Sequence, residues 1–308
     1  MRRPDDSSLT PPQYARVRKE AERALREAGA LGVFPTPIDQ IMSVARVVEV
    51  GEDVLNEGFV TKMRAKAGDA LKRALSKVIG LFHATAGLVY LDQTLHAVKK
   101  RFVRLHEAGH GFLPWQRSMY AVVEDCEKAL DAEAAEVFDR EANVFASEVL
   151  FQLDSFHEMA EAEAFSIWVP VRLSKKFDAS IYSATRQYVS KSHRTCAVLV
   201  LNMPEFDSNK GFRATLRRSI QSHSFTQAFG TYPWKDVYTP DDEIGAMVPI
   251  GGRRASGKRE ILLRDRNGVR HECIAEAFTQ THQVFVLIHA TRTLAAATIV
   301  VADGFQGR

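Results

Sequence analysis

Apolar residues recur at intervals of three and four through much of the chain before residue 190, and this spacing predicts amphipathic helices. The stretches that show it are 13–28, 37–45, 63–75, 101–111 and 127–152, followed by a helix, a tight turn and a second helix within 170–189. Between them, short runs rich in β-branched residues predict strands at 47–50, 77–82 and 87–91. The stretch 114–126 is predicted to be a connecting loop or a lid.

Beyond residue 194 the chain consists of short apolar runs separated by turn residues, a pattern typical of strands in a sheet. The runs are 196–201, 212–220, 261–264, 273–277 and 283–289, of which 212–220 fits a short helix equally well. Asn267 and Gly268 stand between two of these runs and indicate a hairpin, because both residue types tolerate the positive φ of a two-residue turn. The pattern predicts a small α+β sensory or recognition domain with an antiparallel sheet.

The composition, 45% hydrophobic and 26% charged, is that of an ordinary soluble globular protein. A length of 308 residues exceeds what one core usually holds, so two or three structural units are expected. The net charge of +3 is too small to indicate nucleic-acid binding. Cys126, Cys196 and Cys273 lie far apart, which favours free thiols in a reducing cytosol. No apolar run reaches the ~18 residues of a membrane span, and no signal-peptide core is present, so a cytoplasmic protein without membrane contact is expected.

The residues that carry chemistry lie in the helix at 101–111, which contains an H-E-x-x-H motif, His106 to His110. Residues four apart share one helix face, so His106 and His110 can present two imidazoles to one metal ion. Glu107 lies about 100° round the helix, where its carboxylate reaches a metal-bound water without ligating the metal. This arrangement predicts a metallopeptidase with Glu107 as general base. A surface helix with two chance histidines is the alternative.

A catalytic zinc site needs a third protein ligand and an open position. In the helix at 127–152, Glu141 and Glu148 both lie on the apolar stripe, where an unpaired carboxylate is costly. They are about 10 Å apart along the helix, too far for both to bind one ion, and periodicity alone does not choose between them. A pairing of Glu141 with an arginine is a further alternative. The remaining acidic residues point away from the stripe and are predicted to be solvated: Glu133, Glu136 and Asp139.

Two stretches resemble the ImmA/IrrE metallopeptidases. Residues 138–150, Phe-Asp-Arg-Glu-Ala-Asn-Val-Phe-Ala-Ser-Glu-Val-Leu, resemble that family's E-R-E-A-N-x-F-A-x-E-L-L segment. The strand at 87–91, followed by Arg101, Phe102 and the histidine motif, resembles its r-r-F-x-x-x-H-E-x-G-H run. The resemblance implies that Glu141 is the third ligand, and that the metal is Zn²⁺ or alternatively Mn²⁺. Asp139 departs from the family, which usually has Glu there.

The resemblance also implies a domain order. We expect a zincin-like metallopeptidase domain at 12–160, a helix-turn-helix-like segment at 165–192 and an α+β domain at 193–308, which is GAF-like in some relatives. The expected function is that of a zinc-dependent endopeptidase that cleaves a protein, a helix-turn-helix repressor of transcription, in a stress or mobile-element response.

The alternative function is that of a non-catalytic regulator that binds a repressor or DNA and has a structural metal site. The intact Glu107 argues against it, because a structural site has no use for that carboxylate. DNA contact would involve Arg186, Gln187 and Lys191 in the second helix of 170–189. A packing or partner-docking role for this helix is favoured, because the sequence lacks the basic patch that DNA contact would require.

Overall fold

The structure, a computed structural model, describes residues 8–50, 80–83, 86–91, 95–125, 130–252, 254–280 and 282–291. The chain divides into two compact units, the first formed by 1–163 and 170–184 and the second by 164–169 and 185–308. The predicted helix at 63–75 and Cys126 lie outside the described residues. In the part of the chain that the structure describes, no helix is both long enough and apolar enough to cross a membrane.

The first unit is mainly helical. Its helices are α1 (Pro11–Glu27), α2 (Ile38–Val44), α3 (Ala97–Phe112), α4 (Pro114–Asp125), α5 (Ala132–Leu150) and α6 (Ser155–Glu161). Two further helices, α7 (Trp168–Lys176) and α8 (Ile181–Ser190), contain points at which the chain passes from one unit to the other. The apolar spacing predicts each of these helices except α4 and α6. Ser180 caps α8, since its Oγ accepts a hydrogen bond of 3.0 Å from the Ser183 N–H.

The stretch after α3 is a helix up to Asp125, and not the predicted loop or lid. Pro114 suits the first position of α4, because its fixed φ is helical and its missing N–H has no partner to lose there. The backbone N–H groups of Gln116 and Arg117 donate to the Leu113 carbonyl at 3.1 and 3.0 Å, so the chain turns from α3 into α4 without a loop. This turn places Trp115 and Gln116 close to the end of the motif helix.

Helix α5 is the centre of the helical layer, because both α3 and α1 pack against it. Gly109 lies at the contact between α3 and α5. A Cβ at this position would lie 3.1 Å from the Phe145 Cδ1 and 3.3 Å from the Ala142 Cα. The missing side chain therefore allows the motif helix to approach α5 closely.

A small sheet completes the described part of the first unit. Its strands β1 (Val48–Val50), β2 (Gly80–His83) and β3 (Leu88–Leu91) lie in the order β1-β3-β2. β1 is parallel to β3, and β2 is antiparallel to it, which confirms the predicted adjacent strands. Helix α3 contacts β2 and β3.

The second unit is built on an antiparallel sheet, as predicted. Its strands are β4 (Cys196–Asn202), β5 (Glu205–Asp207), β6 (Gly211–Gln221), β7 (Val237–Tyr238), β8 (Ala255–Arg264), β9 (Arg270–Gln280) and β10 (Gln283–Ala290). Their order is β5-β6-β4-β10-β9-β8, with β7 paired to β6. The ambiguous run at 212–220 is a strand, and the short helix α9 (His223–Phe229) follows it. The Asn267–Gly268 turn joins β8 to β9, which confirms the hairpin.

Candidate metal centre

The two motif histidines lie side by side on the last turns of α3. The Nε2 atoms of His106 and His110 are 3.2 Å apart, and their rings meet edge to face with centroids at 4.8 Å. His110 and Glu107 are each 5% exposed, whereas His106 is partly exposed. The helix therefore brings together the two imidazoles and the carboxylate that the motif predicts.

Asp139 on α5 completes a cluster with these histidines. Its Oδ1 lies 3.5 Å from the His106 Nε2, and one ligand atom from each of the three residues falls within 4.8 Å of the others. The Asp139 side chain is 68% exposed, as predicted for a solvated charge, but it also contacts the His106 ring. Asp139, and not the Glu141 that the family resemblance implies as third ligand, therefore lies with the two histidines.

Glu141 lies elsewhere and is surrounded by donors from the protein. Its Oε1 accepts a hydrogen bond of 2.7 Å from the Arg16 Nη2. Its Oε2 accepts from the Trp115 Nε1 and the Gln116 Nε2, each at 2.7 Å. The residue is fully buried, and the alternative in which it pairs with an arginine is the arrangement observed. Positions 139 and 141 differ by roughly 200° round a helix, so α5 does not present both carboxylates to one ion.

Glu148, the other candidate from the apolar stripe, also has protein partners. Its carboxylate accepts hydrogen bonds from the Tyr14 hydroxyl and from the Arg18 Nη1, the latter at 3.1 Å. The residue is 1% exposed. Glu148 therefore joins α1 to α5 and lies outside the histidine cluster.

The outer ring nitrogens of both histidines are engaged by amide oxygens. The His106 Nδ1 is 3.1 Å from the Asn143 Oδ1, and the His110 Nδ1 is 2.6 Å from the Gln116 Oε1. With Nδ1 donating to an oxygen, Nε2 of a neutral imidazole carries the lone pair. Two such lone pairs 3.2 Å apart, beside a carboxylate, repel one another unless a proton or a metal cation lies between them. The donor set thus suits a divalent metal of the kind that imidazole and carboxylate bind, zinc among them.

Burial controls the protonation of this cluster. It raises the pKa of the Glu107 carboxyl to about 7, against the opposing effect of the His106 charge. It lowers the pKa of His110 to about 3, and the neighbouring His106 acts in the same direction. Burial also acts to lower the pKa of His106, but the hydrogen bond to Asp139 and the Glu107 charge outweigh it and raise that pKa. The metal-free pair therefore carries at most one positive charge near neutral pH.

Tyr120 on α4 lies beside the cluster, and sequence reasoning did not identify it. Its ring meets that of His110 edge to face at 5.3 Å and that of Phe138 at 5.7 Å. Burial, and then the charges of Asp139 and Glu107, raise the pKa of Tyr120, so its hydroxyl keeps its proton. Gln116 is a second residue that was missed, since nothing in its local sequence links it to His110.

Comparison with known proteins gives one family match that spans the histidine cluster. Residues 60–185 match the model of a peptidase family, M78, described as the IrrE N-terminal-like domain, and this span contains His106, Glu107, His110 and Asp139. No curated protein matches the chain. A solved structure titled "Mycobacterium tuberculosis transcriptional regulator" is similar over 92% of this chain and 82% of that chain, at 13% sequence identity and a TM-score of 0.48, a similarity too distant to support an inference.

Proposed function

We propose, because residues 60–185 match the model of the IrrE N-terminal-like peptidase family, that this protein is a metallo-endopeptidase whose metal is held by His106, His110 and Asp139. The observation that carries the proposal is the convergence of these three side chains, with ligand atoms within 4.8 Å of one another. A bound zinc, or manganese in its place, would polarise the peptide carbonyl and lower the pKa of water toward about 7. The exposure of Asp139 leaves this cluster open to substrate on one side.

Glu107 is the general base in this proposal. Its carboxyl is almost fully buried, and burial raises its pKa to about 7, so it can accept and release a proton near neutral pH. It takes a proton from the attacking water and delivers that proton to the leaving amine. Asn143 and Gln116 hold the two imidazoles in place through their Nδ1 atoms.

The proposed substrate is a protein, and the family resemblance points to a helix-turn-helix repressor that is cleaved in a stress or mobile-element response in the cytoplasm. DNA contact by α8 has less support. Gln187 is 4% exposed, and Arg186 and Lys191 are only partly exposed, so the helix lacks a row of free polar side chains for a groove. A packing role for α8 is therefore favoured over DNA recognition.

The experiment that tests the function is incubation of the purified protein with a helix-turn-helix repressor encoded beside it. Cleavage is followed by mass spectrometry with added zinc, with added manganese and with a chelator. We expect cleavage that the chelator abolishes and that the metal restores. A preparation that contains one metal per chain and leaves the repressor intact would instead favour the non-catalytic regulator.

A further inference from the structure

Gln116 is a buried amide that contacts a proposed metal ligand on one side and a buried carboxylate on the other. Its Oε1 lies 2.6 Å from the His110 Nδ1. Its Nε2 donates to the Glu141 Oε2 at 2.7 Å and to the Phe138 carbonyl oxygen at 3.2 Å. The side chain is fully shielded from solvent, so all of its hydrogen bonds must be formed with the protein.

The partners of Gln116 determine which way round its amide lies. The oxygen and nitrogen of a side-chain amide are otherwise interchangeable, and their assignment follows from the hydrogen-bond network. Here the nitrogen faces a carbonyl and a carboxylate, both of which only accept. If the amide were flipped, its oxygen would face the Phe138 carbonyl oxygen and the Glu141 carboxylate, and neither of these can donate. Oε1 is therefore directed at His110.

Glu141 is itself fixed by donors that come from two other helices. Arg16 on α1 donates to one of its oxygens, and Trp115 at the start of α4 donates to the other. The Arg16 guanidinium also stacks 3.8 Å above the centroid of the Trp115 ring. A buried carboxylate with several donors in place keeps its position, and it therefore holds the Gln116 amide in one orientation.

We propose that Gln116 and Glu141 are positioning residues, which fix His110 as the tautomer with its proton on Nδ1 and thereby direct the Nε2 lone pair at the metal. A neutral imidazole has one donor and one acceptor, so an acceptor opposite Nδ1 assigns the lone pair to Nε2. Glu141 acts on the metal site only through Gln116. The inference rests on the proposed metal site, and the partners that orient a ligating histidine typically affect metal affinity 10–100-fold.

The first measurement reads the tautomer without any metal. Long-range ¹H–¹⁵N correlations of the His110 ring, recorded at pH 8 on the metal-free protein, distinguish a proton on Nδ1 from one on Nε2. We expect Nδ1–H in the wild type and a shift toward Nε2–H in Gln116→Leu, which keeps the volume and removes the amide. An Nε2–H ring in the wild type, or Nδ1–H retained in Gln116→Leu, overturns the proposal.

The second measurement is the zinc dissociation constant, determined by competition with a chromophoric chelator. We expect Gln116→Leu and Glu141→Gln to weaken zinc binding by about 10–100-fold. Glu148→Gln is the matched control, because it alters another buried carboxylate of α5 whose partners are Tyr14 and Arg18. Its zinc affinity should equal that of the wild type, although its stability falls.

The outcomes separate this inference from the proposed function. Unchanged zinc affinity in Gln116→Leu overturns the positioning role, and so does a loss in Glu141→Gln as large as that in Asp139→Asn, which would make Glu141 a ligand. A wild type with the Nδ1–H tautomer and no zinc binding contradicts the proposed function but supports the fixed tautomer. If Gln116→Leu does not fold, Trp115→Phe removes one donor to Glu141 and keeps an aromatic ring beneath Arg16. A smaller loss of zinc affinity is then expected, and no loss counts against the proposal.

Discussion

Replacing Asp139 should mainly weaken metal binding, whereas replacing Glu141 should mainly lower stability. Asp139→Asn removes an exposed carboxylate that faces the histidines, whereas Glu141→Gln alters a buried carboxylate with three protein donors. Zinc binding to four ligands is worth about 10–16 kcal/mol, or roughly 2.5–4 kcal/mol per ligand. Asp139→Asn should therefore weaken zinc binding by about 10²–10³-fold.

The stability of the metal-free protein should fall in Glu141→Gln and change little in Asp139→Asn. Breaking a buried ion pair typically costs about 3–5 kcal/mol. The Arg16 side chain is 51% exposed, so solvent screening reduces this figure, and we expect Glu141→Gln to cost about 2 kcal/mol. Asp139→Asn, at an exposed position, should change stability by no more than about 0.5 kcal/mol.

Two assays carried out side by side check this pair of effects: metal per chain after dialysis, and urea unfolding without metal. We expect Asp139→Asn to lose its zinc and keep its unfolding midpoint, and Glu141→Gln to retain more zinc than Asp139→Asn and to unfold at a lower urea concentration. If Glu141→Gln loses the zinc and Asp139→Asn retains it, Asp139 is not the ligand and the original expectation for Glu141 is restored.

Three further predictions concern other parts of the chain. Gly109→Ala should destabilise the protein by about 1–3 kcal/mol in urea unfolding, because the new Cβ would lie 3.1 Å from the Phe145 Cδ1. A variant that is more stable by ~1 kcal/mol, as helix propensity alone predicts, would contradict the close packing. Glu148→Ala should cost about 2–3 kcal/mol, since it removes a buried carboxylate that accepts from both Tyr14 and Arg18, and zinc content should be unaffected. Asp265→Asn should lower the melting temperature at neutral pH, because Asp265 pairs with His271 at 2.9 Å and accepts two backbone N–H groups of its turn. The His271 contact lowers the pKa of Asp265. The contribution of Asp265 to stability is therefore present above its unfolded pKa and is lost as the pH falls through the lower folded value. A difference in melting temperature between variant and wild type that stays the same in acid would contradict this.

Helices and strands with strong local patterns could be predicted from the sequence. The spacing of α1, α3 and α5 and the Asn267–Gly268 turn are local features, and the structure has each of them. Helix α4 was not predicted, because the chain has a proline, Pro114, at its first position. A proline stops the preceding helix and also suits the first position of the next one.

Periodicity could not indicate the third ligand that we propose, for a physical reason. An apolar stripe identifies the buried face of α5, and Glu141 lies on that face because Arg16, 125 positions earlier, and Trp115 satisfy its charge. The third ligand that we propose lies instead at the margin of the buried face, where substrate can reach it. Asp139 lies there, and its exposed position made it resemble an ordinary solvated carboxylate.

The roles of Gln116 and Asn143 depend on contacts between helices, so no local pattern reveals them. Each amide oxygen faces the Nδ1 of one histidine, Gln116 from α4 and Asn143 from α5. Only the assembled helices show that both imidazoles direct Nε2 toward the same point.

The central claim is tested most directly by single-turnover cleavage of the repressor by zinc-loaded wild type and Glu107→Gln, with equal metal content verified in both. The substitution keeps the shape of the side chain and removes its capacity to accept a proton. The proposed chemistry predicts that Glu107→Gln binds one zinc per chain and cleaves about 10²–10⁴-fold more slowly. Cleavage at the wild-type rate by the zinc-loaded variant would contradict it.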